Sequence, residues 1–444
     1  MSIAHKSVVS LTKSIDSHVI RIAPNELHLS DSDLYKTIYS QDGRYLKESN
    51  FYKTFANDLG IFGTTHTDLH KVLRHKMVPA FSKGEMLKAE SVITSSIADL
   101  AAKLETRGYT RPVDLHSFCR CLPPDVVCKF AFGQSDVIAK CDDDFRTPIL
   151  EAFDAASAGT WFRAYYPSMR WLQDRMHVDL VARVLTTVQK LKAFQDYAFH
   201  GVKDFRAGAK MGTELLPALS TVADLPDEVV RNGAISFIGG GSDTAGYTLS
   251  YALWHVLNDP ELHERLLVEL DPIFDAAAPE MPAMASLESA PLLSAIVKES
   301  LRCGPALPGR LPRIVPENAK TPLVVDGQFV PPGTIVGMSP FTMHKDPQLW
   351  GPDAAEFRPE RWLEPQGPAK FSNIVVFGKG ARDCIGRPLA MAEIHAGLAW
   401  LVHSYTFELM EGSHKWGSHD RFTALATEPF NAKMAKRSSG QGVL

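Results

Sequence analysis

The ten residues Phe377-Gly378-Lys379-Gly380-Ala381-Arg382-Asp383-Cys384-Ile385-Gly386 place a thiol among glycines, just ahead of Arg387-Pro388 and a helical pattern. A thiol before a helix N-terminus meets backbone N–H groups and the positive end of the helix dipole. Arg382 adds a cation two residues away, so the sequence predicts a thiolate at Cys384. Gly380 and Gly386 permit a tight loop and a close approach of backbone to a flat ligand. An exposed thiolate held rigidly in a loop suits an axial ligand to haem iron. A single cysteine is more often a small buried hydrophobe, so the loop must be weighed with what accompanies it.

Two other groups of residues accompany it. Gly239-Gly240-Gly241-Ser242-Asp243-Thr244 interrupts a helical run from Asp227 to Leu257. Three glycines forgo roughly 3 kcal/mol of helix stability relative to alanine, so a ligand approaching a loosened turn, or a close helix crossing with Thr244 bonded back to its own helix, must offset them. Asp243 and Thr244 place a proton source beside a hydroxyl, as a relay of protons to bound oxygen requires. Glu299-Ser300-Leu301-Arg302 sets an acid and a base one helical turn apart, and Phe357-Arg358-Pro359-Glu360-Arg361-Trp362 adds a further arginine. By itself such a pair is usually a solvated surface contact.

Together these segments resemble the cytochrome P450 family. Phe377, Gly380, Arg382, Cys384 and Gly386 match its haem loop, F-x-x-G-x-R-x-C-x-G, and G-G-S-D-T matches its oxygen-binding groove, with Gly240, Gly241, Asp243 and Thr244 in place. The resemblance implies haem b with Cys384 as the iron ligand, Asp243 and Thr244 as the proton relay, and Glu299, Arg302 and Arg361 as a buried Glu-Arg-Arg cluster. The two haem propionates need cationic or hydrogen-bonding partners. Arg382 is the first candidate, Arg313 in P-G-R-L-P-R-I-V-P the second, and His70 and Arg74 in H-K-V-L-R match the family's W-x-x-x-R or H-x-x-x-R helix. For His70, a surface position on the helix is the competing reading. The opening stretch from His18 to Leu27 is similar to filamentous-fungal members that tailor secondary metabolites.

The elements that must position these residues are mainly helical. Apolar residues recur at three and four spacing in Met86 to Leu104, Val178 to Val202, Asp227 to Leu257 and Pro260 to Phe274, and again near Pro388 to His403. The period falls to two around Asp326-Gly327, which reads as a hairpin, and Pro331-Pro332-Gly333 leads to a second strand pair. The expected class is mainly α with small β-sheets, a cytochrome P450 fold in one large domain over residues 1–444, with the motif-bearing region at about 18–422.

Of 444 residues 45% are hydrophobic and 22% charged, which provides for a large core, and the net charge of −4 argues against a nucleic-acid partner. Six cysteines are too few for a disulfide framework, which suggests a reducing compartment. Cys119, Cys121, Cys128, Cys141 and Cys303 show no metal-binding spacing and read as bystanders. Lys6, Lys13 and Asp16 interrupt the first twenty residues, so no transmembrane anchor is expected, and the chain is placed in the cytoplasm or peripherally on the endoplasmic reticulum surface.

The expected function is a haem-dependent monooxygenase that hydroxylates or epoxidises an apolar small molecule held near Phe237, Gly240 and Ala306 to Leu311. No G-x-G-x-x-G element is present, so electrons would come from an NADPH-dependent cytochrome P450 reductase, with cytochrome b5 as a further donor. Two alternatives stand beside it: the same fold catalysing rearrangement, dehydration or ring closure without net oxygen insertion, and a non-catalytic haem-binding sensor or carrier.

Overall fold

Helix boundaries follow the local capping chemistry. The computed structural model describes residues 17–168, 170–171, 186–207, 217–318 and 321–437. Its principal helices are α1 (Thr67–Met77), α2 (Lys83–Arg107), α3 (Leu115–Phe132), α4 (Pro148–Ala158), α5 (Thr160–Tyr165), α6 (Thr186–Arg206), α7 (Asp227–Gly241), α8 (Asp243–Leu257), α9 (Pro260–Ala277), α10 (Pro291–Cys303) and α11 (Arg387–Ser404). The Asp114 carboxylate caps α3 by accepting the His116 N–H at 3.0 Å, and Gly133, at φ +83°, stops it. Asp259 caps α9 in the same way, with Pro260 as its first residue. The helix expected from Val178 to Val202 begins outside the described residues, and its remainder lies in α6.

The strands are short. The largest sheet runs β1 (Val19–Ala23), β2 (Glu26–Leu29), β8 (Ile335–Met338), β5 (Arg313–Ile314) and β3 (Leu46–Lys47) in that order, with β2 and β8 parallel. Another joins β4 (Val113–Asp114), β12 (Asn431–Lys436) and β9 (Tyr405–Leu409). Two hairpins remain, β6 (Leu323–Val325) with β7 (Gln328–Val330), and β10 (Ser418–Arg421) with β11 (Thr423–Ala426). Asp326 and Gly327 take φ +50° and +75°, the left-handed pair that a two-residue hairpin turn demands. After Pro331-Pro332-Gly333 the chain leaves this hairpin, and β8 pairs in the large sheet instead.

Helix α8 runs through the interior, packed on α3, α10 and α11, and buries Leu249, Ala252, Leu253 and Val256. Small residues make that approach possible: a Cβ on Gly246 would lie 2.8 Å from Arg120 Cα, and one on Gly397 would lie 2.9 Å from Leu249 Cδ2. The run expected from Asp227 to Leu257 is divided at Ser242, where ψ −69° ends α7 and starts α8. Among the described residues no helix is long and apolar enough to cross a membrane.

Candidate active site

A cavity of about 360 Å³ opens where α7 meets α8. The cysteine loop lies along one side of it, α4 along another, and Phe237, Gly240, Ala306, Leu307 and Leu311 line it as expected. Cys384 faces this space, and its N–H donates to Phe377 O at 2.7 Å, which folds the loop back on itself. Gly378 and Gly380 both have positive φ, +66° and +75°. Gly380 is not among the residues lining the cavity: a Cβ there would lie 2.2 Å from Tyr39 O and 2.5 Å from Ser40 O, so it seats the loop on a distant turn. The loop glycines that line the cavity are Gly378 and Gly386, and a Cβ on Gly386 would lie 4.0 Å from the Cys384 sulfur. Phe377 also lines the cavity, with the Arg387 guanidinium over its ring.

The electrostatics of the thiol differ from the expectation. Burial pushes Cys384 up, and the N–H groups of Gly386 and Arg387 and the charge of Arg74 pull it down by less. Cys384 is exposed to the cavity, yet the protein around it disfavours the thiolate through desolvation more than the helix end favours it; a bound metal ion removes that penalty by deprotonating the thiol outright.

On the opposite wall Gly240 has open space where a side chain would be, and Thr244 lines the cavity while its hydroxyl donates to Gly240 O at 3.0 Å. Gly241 serves packing more than ligand access, since a Cβ would lie 2.7 Å from Val127 Cγ2 of α3. Asp243 departs from the expected proton source beside the ligand: it points away from the cavity, is 1% exposed, and accepts from Arg120 Nε at 2.7 Å. Its neighbour in sequence faces elsewhere because successive helical residues diverge by about 100°.

Cations gather at the rim of the cavity near the cysteine loop. Arg382 donates to Thr64 O at 2.9 Å, and Arg313 lies 5.3 Å and 5.9 Å from the ring centres of Tyr39 and Tyr52. Lys47, unforeseen, is buried, sits 4.2 Å from the centre of the Tyr52 ring, and donates to Phe62 O. His70 is buried, not at the surface; burial and then Arg382 hold it down at about 3, so it is neutral. Burial and then Arg313 bring Arg382 down to about 10. No carboxylate of the described residues pairs with Arg313, Arg382 or Lys47. Such a group of like charges fits a ligand bearing anionic groups, as the propionates of haem would be, beside a thiol and a glycine-lined space. Arg74 is spent differently, donating to Asp383 O at 2.8 Å and pairing with the Asp383 carboxylate, so it braces the residue before Cys384.

Glu299, Arg302 and Arg361 come together with no exposure at all. The Glu299 carboxylate accepts from Arg302 Nε and Nη2 at 2.8 and 2.7 Å, Arg361 Nε at 2.9 Å, Trp362 Nε1 at 2.9 Å and Arg358 N at 2.8 Å. His344 ties this cluster to the cysteine loop. Burial, then Arg302, holds His344 neutral at about 3; its Nδ1 donates to Arg302 O at 3.1 Å and its Nε2 accepts from Val375 N at 3.0 Å. The other five cysteines are buried, with free thiols.

The family model "Cytochrome P450" matches residues 23–434. The chain belongs to the cytochrome P450 family. It is 28% identical over 424 residues to cytochrome P450 monooxygenase aneF of Aspergillus aculeatus, covering 91% of this chain and 83% of that one. It is 28% identical over 433 residues to cytochrome P450 monooxygenase macH of Penicillium terrestre, with the same coverage. It is also 28% identical over 420 residues to tryptophan 6-hydroxylase fscE of Fusarium equiseti, covering 91% and 81%. The crystal structure of the cytochrome P450DA heme domain superposes with a TM-score of 0.80 at 19% identity, over 98% of this chain and 93% of that one.

This cytochrome P450 is therefore a monooxygenase whose cofactor is haem b, ligated by the Cys384 thiolate, and the family draws its electrons from a redox partner. The cavity wall holds residues that no local pattern marks, among them Lys47, Phe422, Thr423 and the buried carboxyl of Glu393. Arg120 was open to notice, since it is the single arginine in the otherwise largely apolar Leu115–Phe132 segment.

Proposed function

We propose that this cytochrome P450 hydroxylates or epoxidises an apolar small molecule in fungal secondary-metabolite biosynthesis, with electrons from an NADPH-dependent reductase and cytochrome b5 as a further donor. One observation carries the reading: a single cavity has the Cys384 thiol on one side, Gly240 and Thr244 on the other, and phenyl rings of Phe55, Phe62, Phe237 and Phe422 around them. Haem bound there supplies oxygen binding and activation, placing one oxygen atom in the substrate and one in water. Arg313, Arg382 and Lys47, with neutral His70, hold the propionates. Arg74 steadies the loop through Asp383, Phe377 and Gly378 shape the space beside the sulfur, and Gly240 leaves room over the haem face. The Thr244 hydroxyl exchanges its bond to Gly240 O for one to water and passes protons onward. Glu299, Arg302 and Arg361 keep the loop in register through His344.

Exposed Phe162, Tyr165, Tyr166 and Trp171 cluster in and after α5, near the cavity, and support a peripheral seat on the endoplasmic reticulum surface.

The test is a reduced-plus-CO absorption spectrum of the intact protein, expected to show the Soret band of a thiolate-ligated haem. Turnover of a substrate found by its low-to-high-spin shift, run under ¹⁸O₂, should place one labelled atom in the product. A product without label would move the chemistry to rearrangement or dehydration.

A further inference from the structure

The acid next to Thr244 is held in an arrangement that its own helix does not explain. Arg120 of α3 stands between two carboxylates. It gives Nη1 to Asp154 Oδ2 at 3.1 Å and Nη2 to Asp154 Oδ1 at 2.6 Å, a two-pronged fork, and gives Nε to Asp243 Oδ1 at 2.7 Å, with Nη2 also 2.6 Å from that same Asp243 oxygen. Asp243 Oδ2 has no hydrogen-bond partner. Asp154 is 30% exposed at its side chain and Asp243 1%.

The charge balance decides what this triad holds. Two ionised carboxylates against one guanidinium leave a surplus negative charge, and it would fall on the group with least access to water. The fork is the geometry of an ion pair, so Asp154 carries the charge that Arg120 neutralises. Asp243 meets Nε and Nη2 through Oδ1 alone and leaves its second oxygen empty, which is where a proton fits. The other groups facing Asp243 do not change this balance. From α3, His116 is held neutral by burial and then by Arg120; from α8 itself, Tyr247 is a buried phenol; from β11, Thr423 offers a hydroxyl that lies on the cavity wall. Burial foremost pushes Asp243 up, Arg120 opposes, Asp154 pushes it up again, and hydrogen bonding from Thr423 and Arg120 opposes without reversing the upward shift.

We infer that Asp154, by taking Arg120 Nη1 and sharing Nη2, competes for the guanidinium charge, keeps a proton on Asp243 Oδ2 and so acts as the positioning residue for an acid whose hydroxyl neighbour on the cavity wall is Thr423. Asp154 touches neither substrate nor cofactor. It sits on α4 between Phe153 and Ala156, both of which line the cavity, so the element that fixes the acid is also part of the cavity wall. The direction of proton supply rests on the monooxygenase reading above, whereas the protonation state of Asp243 does not.

Infrared difference spectra of the resting ferric protein at pH 7, without reductase or substrate, test the inference directly. The parent should show a carboxylic C=O band that shifts in D2O and is absent in Asp243→Asn. Asp154→Asn, which keeps the shape but removes the competing charge, should lose that band, and Asp154→Glu should retain it. With reductase and substrate, Asp154→Asn should give several-fold less product per NADPH and more peroxide, with a larger solvent isotope effect. Its CO spectrum and substrate spin shift should match the parent. A parent without an Asp243 C=O band overturns the inference whether or not Asp154→Asn folds, and so does a band that survives in Asp154→Asn. A missing thiolate-type CO spectrum would instead overturn the proposed function and leave the infrared result standing.

Discussion

Glu299→Gln removes the one anion that both buried guanidiniums of the cluster share. Arg302 is wholly buried and would keep only neutral acceptors, the carbonyls of His344, Ala354 and Glu356 at 2.8, 2.6 and 2.6 Å. Arg361 keeps Asp353, 3.2 Å from its Nη2. Breaking a buried pair from one side costs about 3–5 kcal/mol, because the partner's desolvation is no longer compensated. With an unfolding entropy of about 2 cal/mol/K per residue over 444 residues, the apoprotein's Tm should fall by about 3–5 °C. The same loss should release His344 from Arg302 and loosen the segment from Val375 to Cys384, so that haem escapes faster than from the parent. Thermal melts by circular dichroism measure the first effect and transfer of haem to an apo-globin the second. A double variant, Glu299→Gln with Arg302→Met, should recover part of the stability lost, since the stranded charge is gone. The sign with pH follows from Glu299 itself: burial pushes it up, but the bonds from Arg302, then Arg358 N–H and Arg361, bring it below the ordinary glutamate value. Its contribution is therefore complete above the unfolded glutamate pKa and disappears as pH falls through the lower folded one. A Tm change under 1 °C in Glu299→Gln at pH 7, with parental haem retention, would refute the reasoning.

Cys384→Ser should abolish the thiolate-type Soret band of the reduced CO complex while the far-ultraviolet circular dichroism stays that of the parent. Thr244→Ala should keep haem and substrate spin shift but divert electrons from product to hydrogen peroxide, measured as peroxide formed per NADPH consumed. Gly380→Ala drives a methyl to 2.2 Å from Tyr39 O at a φ of +75°, so it should cost about 1–3 kcal/mol of loop stability and lower haem occupancy. Gly240→Ala meets nothing within 4 Å and should leave haem occupancy intact while changing which ligands give a spin shift. Arg382→Met should speed haem loss without lowering the apoprotein's Tm, because in the apoprotein it removes one of a group of mutually repelling cations.

What could be read from the chain divides along the distance over which each constraint acts. The thiol, its glycines and the proline-led helix after it act within ten residues, so the loop was legible, and Glu299 with Arg302 lies within one helical turn. Gly380 shows the boundary of that legibility: the sequence states that a glycine is needed but not that carbonyls of Tyr39 and Ser40 are what crowd it. The helix period does not say which neighbour of a cavity-facing Thr244 turns away, since Ala245 lines the cavity and Asp243 does not. Where it looks was not readable, because Arg120 lies 123 residues away and Asp154 another helix beyond. Lys47 leaves no local trace either, as its neighbour Arg313 is brought to it by a sheet whose strands are two residues long at that edge and Phe62 by a turn outside the sheet. His344 is the instructive case. It sits in a stretch with no useful periodicity, yet its two ring nitrogens join the carbonyl of Arg302 to the N–H of Val375, and so connect the readable acid–base motif to the readable cysteine loop. A neutral imidazole can do this only with Nδ1 carrying the proton and Nε2 bare. Protonation of His344 at acid pH would take the lone pair that accepts from Val375 N–H, and so release the cysteine loop from the Glu299 cluster.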